Sequence, residues 1–128
     1  MYGIPADLDL SAIVGERLDW ILQCEFQLSL KFERGANSAA GVLIEVSNEV
    51  EVVRNQAVVA RWTQEERWSS TEFQGCIGRV ARTYKVHGPH ELGIELSDGW
   101  GLLIRDSLPN FESFTVYPDG AHGRRIVV

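Results

Sequence analysis

The chain compares with itself, and no other property restricts its fold as tightly. Leu10, Val14 and Gly15 recur as Phe73, Ile77 and Gly78, and the run Leu28, Leu30, Phe32 recurs as Leu92, Ile94, Leu96. The offset is 63 residues at Gly15/Gly78 and 64 at Leu28/Leu92 and Gly35/Gly99. It falls to 60 at Ile44/Ile104, which the extra stretch Ala36 to Ala39 in the first copy accounts for. An offset that changes only inside a turn is what a duplication leaves behind. The two units run over residues 10–53 and 73–116.

Within each unit the period is two. Leu28, Leu30 and Phe32 alternate with Ser29, Lys31 and Glu33, and Leu92, Ile94 and Leu96 with Gly93, Glu95 and Ser97. Side chains of a strand alternate between faces, so each run has one core face and one wet face. Arg34-Gly35 and Asp98-Gly99 then predict hairpins into the strands Val42 to Val46 and Leu102 to Asp106. Further strands are expected at Arg17 to Leu22, Glu49 to Arg54, Ala57 to Trp62, Arg79 to Val86 and Phe111 to Tyr117, with Asn55-Gln56 as a turn. Arg124 to Val128 reads as a last short strand or a tail. Thr63 and Glu66 have capping-box spacing and predict one short helix over Gln64 to Gln74, and Asp9 to Val14 reads as a further turn. The fold expected is mainly β: a single domain over residues 1–128 in which the duplicated β-meander forms a pseudo-twofold sandwich or barrel of eight to ten strands.

Hydrophobic residues at 45% and charged residues at 23% are globular values, and 128 residues suffice for a core without disulfides or metal. The net charge of −6 repels phosphate backbones and argues against nucleic acid, Arg79, Arg82 and Lys85 reading as one solvated strand face. Cys24 and Cys76 lie 52 residues apart and fit neither a metal motif nor a disulfide framework. No apolar run approaches a membrane span and no secretory signal opens the chain, so a cytoplasmic location is expected.

The second copy resembles small bacterial β proteins of unknown role. The resemblance rests on Ile77-Gly78-Arg79, the Leu92 to Leu96 alternation, Ser97-Asp98-Gly99, the acid at Asp106, and Phe111-Glu112-Ser113-Phe114. It covers Ile77 to Tyr117 and implies a β domain with no catalytic residues to transfer. Some similar small acidic proteins act as immunity partners of bacterial toxins.

Candidate chemistry is sparse. His87 and His90 flank Gly88-Pro89 in a turn, with no third ligand nearby, so neither metal nor cofactor is expected. Glu45, Glu49, Glu51, Glu95, Asp106 and Glu112 read as outward strand positions, Glu112 drawn inward by Phe111 and Phe114. Cys76 has Arg79 near it but reads as a core thiol. Trp20 reads as core. Trp62, Trp68 and Trp100, with Glu49, Glu51 and Glu112, are the expected interaction residues, because tryptophan and charge at an interface carry affinity and steering. The leading function is a non-catalytic protein-interaction module with a basic partner. A small-ligand binder using the space between the units is the alternative, and an enzyme working through carboxylates or histidines a further one.

Overall fold

A computed structural model describes residues 3–33, 41–63, 65, 71–106, 114–117 and 126–127. Ten strands occur in them: β1 Arg17–Gln23, β2 Leu28–Glu33, β3 Val42–Val46, β4 Glu49–Arg54, β5 Ala57–Thr63, β6 Ala81–Gly88, β7 Glu91–Leu96, β8 Trp100–Arg105, β9 Phe114–Tyr117 and β10 Ile126–Val127. They form two antiparallel sheets, ordered β1-β2-β3-β9-β10 and β5-β4-β8-β7-β6. Each sheet is thus a three-stranded meander with two strands added from the other half of the chain. Moving every strand on by five converts one order into the other.

The sheets meet at one corner. Gly15 N–H donates to Ala81 O and Gly78 N–H to Leu18 O, both at 2.8 Å; Ala81 N–H donates to Glu16 O at 2.8 Å and Leu18 N–H to Arg79 O at 2.9 Å. Exchanging Gly15 with Gly78, Glu16 with Arg79 and Leu18 with Ala81 turns each bond into its counterpart. The turns leading in also correspond: Ile13 to Leu10 and Val14 to Ser11 match Cys76 to Phe73 and Ile77 to Gln74, all between 3.1 and 3.2 Å. Among the described residues this corner leaves a sandwich and not a closed barrel.

Ladder registers correct the later part of the sequence alignment. Ile44 pairs with Leu30 and Leu102 with Ile94, while Val46 pairs with Leu28 and Ile104 with Leu92. The matching offset is therefore 58 (44 to 102, 46 to 104), and not 60. A slip of two keeps every side chain on its own face, so hydrophobic alternation cannot detect it.

Inward positions of both sheets fill the space between them. Leu28, Leu30, Phe32, Val42, Ile44 and Val46 face Val50, Val52, Leu92, Ile94, Leu102 and Ile104, and none exceeds 2% exposure. Each such side chain contributes about 1.5–3 kcal/mol on burial. Among the described residues the space between the two sheets is filled by this core.

The expected short helix is present as α1, Thr71–Gly75, the earlier part of its expected span at 64 and 66–70 lying outside the described residues, while Thr63 is the last residue of β5 instead of a cap. Pairing of Thr63 with Glu49 outweighs the weak capping signal, and Phe73, wholly buried, anchors the single turn. Trp20 is not core: it is 37% exposed. The cause is a β-bulge at Asp19, between Leu18/Phe32 and Trp20/Lys31. One extra residue reverses the phase of the rest of β1.

Candidate functional site

The expected interaction residues that are described lie on adjacent strands of the second sheet, the tryptophans buried and the glutamates on the outer face. Trp62, on β5, is 1% exposed, and its indole nitrogen has no hydrogen-bond partner among the described residues. Trp100 opens β8 and is 8% exposed. Its ring lies beneath the guanidinium groups of Arg54 and Arg79, 5.2 and 5.4 Å from the centroid, and a side chain at Gly75 would come within 2.5 Å of it. Both tryptophans are buried, Trp100 lying also among the residues that line a groove of the second sheet. Trp68 and Glu112 lie outside the described residues.

Glu49 and Glu51 are indeed on the outer face of the second sheet, where β4, β8 and β7 run side by side. They are not bare charges. Arg105, the last residue of the central strand β8, binds Glu49 at 2.9 Å through Nε, Glu91 at 2.7 Å through Nη1, and Glu51 through Nη2. Arg61 approaches Glu49 at 3.8 Å. The Glu51 hydrogen bond raises the Arg105 pKa further above its ordinary value, with burial opposing. Three carboxylates against two guanidiniums leave one negative charge in excess. Asp106 departs from the outward reading altogether: it is 3% exposed, and its Oδ2 accepts from Gly3 N–H at 2.8 Å, tying down the start of the chain.

Nucleophile and metal chemistry find little footing. Burial pushes the Cys76 thiol up to about 12, against the opposing charge of Arg79, and its Sγ donates to Glu72 O. Such a thiol is a core group. Cys24 is half-buried, and both cysteines are free. His90 uses Nδ1 on Asp106 O at 2.7 Å, whereas the His87 ring folds over Gly93 on the neighbouring strand. No group of three metal-ligating side chains occurs among the described residues, nor any helix long and apolar enough to cross a membrane.

Two surfaces that sequence reasoning missed stand out instead. The bulge at Asp19 turns Trp20 and Leu22 outward, and Phe26 follows in the β1–β2 turn, with exposures of 37%, 52% and 64%. The same phase change carries Gln23 inward, where its Oε1 is buried without a partner among the described residues. No composition rule signals a bulge. The opposite sheet carries a groove of about 870 Å³ on its outer face. Its floor is Gly93, Gly101, Leu103 and Val53, and Lys85 and Glu95 rise beside it. Here a signal existed: Gly93 occupies an outward strand position, where glycine lets another group approach the backbone closely, and the His87 ring does so. The chain matches no protein-family model, no curated protein and no solved structure.

Proposed function

We propose that this protein is a non-catalytic protein-interaction module whose contact surface is the outer face of β1 and its turn, built on Trp20, Leu22 and Phe26. The supporting observation is the bulge at Asp19. In regular phase Trp20 and Leu22 would enter the core and Gln23 would reach water. The bulge does the reverse, exposing two large apolar groups and burying an amide oxygen that has no partner among the described residues. An unsatisfied buried polar atom costs about 1–3 kcal/mol. A local cost that creates an apolar surface favours a use for that surface. The net charge of −6 adds long-range attraction for a basic partner. Immunity against a basic toxin is one form this role can take.

Affinity capture from extract of the source cell, with wild type beside Leu22→Ser/Phe26→Ser, tests the reading. A specific partner retained by the wild type, lost by the double variant and bound more slowly at high salt is the expected result. Equal retention by both proteins would overturn it.

A further inference from the structure

The groove of the second sheet lies on the side of the sandwich away from β1, and it is an independent feature. Pairing places Lys85, Gly93 and Leu103 in one row across β6, β7 and β8, and Thr83, Glu95 and Gly101 in the next. These positions lie on the outer face, as the exposure of Lys85, Thr83 and Glu95 shows. Gly101 removes a side chain from the floor, the His87 ring lies over Gly93, and Leu103 and Val53 supply the apolar lining beside it. A hollow of about 870 Å³ is within the range of small-molecule sites. Lys85 and Glu95 stand beside it as a cation and an anion, and among the described residues neither has an ion-pair partner. Every other acid of this face near Arg105 is paired. Asn55 and Gln56 supply amides at one end.

We infer that this groove binds a small zwitterion of dipeptide size with apolar side chains. The ligand's ammonium is held by Glu95, its carboxylate by Lys85, and its side chains by Leu103 and Val53. Charge complementarity selects this class: a simple anion would leave Glu95 opposed, and a simple cation Lys85. Neither side chain gives up an ion pair among the described residues to take up its end of the ligand, and an exposed pair formed with it is worth at most about 1 kcal/mol.

The test is titration of the ¹⁵N-labelled protein with dileucine, N-acetyl-dileucine and dileucine amide, following the Gly93 and Gly101 amides. Saturable shifts at both glycines are expected at low-millimolar dileucine. Blocking either terminus weakens binding about five-fold. Acetylation has no further effect on Glu95→Gln, nor amidation on Lys85→Met. Gly101→Val, whose Cβ would meet Ile94 O at 3.3 Å, fills the hollow and abolishes binding. The exposed Lys85 and Glu95 variants keep the test open should that substitution disturb the sheet. Absence of binding, shifts elsewhere, or indifference to both blocking groups would overturn the inference.

Discussion

Burial holds the Cys76 thiol at about 12 against an ordinary 9.0, with Arg79 pulling the other way. Below the lower value both folded and unfolded chains keep the proton, and the whole contribution is present. Between the two values only the unfolded chain releases it, so stability falls by about 1.4 kcal/mol per pH unit as pH rises. Urea melts on the alkaline side should therefore show Cys76→Ala losing less stability per pH unit than wild type. A parallel loss in both would show that the thiol titrates alike in both states. In native protein a thiol reagent should modify Cys24 first and reach Cys76 only through unfolding. The core-thiol reading of Cys76 was legible from its apolar neighbours in sequence. Trp100 was not: flanking glycines suggested an open site, but its cover comes from Gly75, Arg79 and Arg54, which only tertiary structure assembles.

Strands were the most legible elements, because period two and turn chemistry are local. The Asn55-Gln56 turn is an example: both residues have positive φ, 51° and 69°, as a two-residue hairpin requires. Phase within a strand was less legible. The bulge at Asp19 depends on Leu18 being fixed at the sheet corner while Ile21 packs on the core, a conflict between distant contacts. Gln23 pays for that arrangement. Gln23→Met keeps the shape and removes the unpartnered oxygen, so it should raise unfolding stability by about 1 kcal/mol in urea titration. It should leave partner capture unchanged, since Trp20 and Leu22 stay outward. A destabilised variant would mean that the amide makes a contact the fold depends on. The groove lies beyond element-level reading, as it needs Gly93 and Gly101 brought into adjacent rows of neighbouring strands.

The molecule as a whole is organised around the corner that joins its sheets. Gly15 and Gly78 sit there with φ of 88° and 90°, a region open to glycine but strained for other residues. A Cβ at Gly78 would meet nothing within 4 Å, so replacing it tests backbone conformation alone. Gly15→Ala and Gly78→Ala should each cost about 1–2 kcal/mol, and the double variant less than their sum, because both act on one set of four bonds. Strict additivity in denaturant melts would show two separate contacts. Beyond the corner, the interchange of strands has a mechanical consequence. Only Ser47 and Asn48 separate β3 in one sheet from β4 in the other, and β9 returns across the same divide. Each layer is thus stitched from both halves of the chain, and neither layer can peel away while the other stays whole. Heating should consequently bring a single melting event, with Trp62 in one layer and Phe114 in the other losing their surroundings at the same temperature.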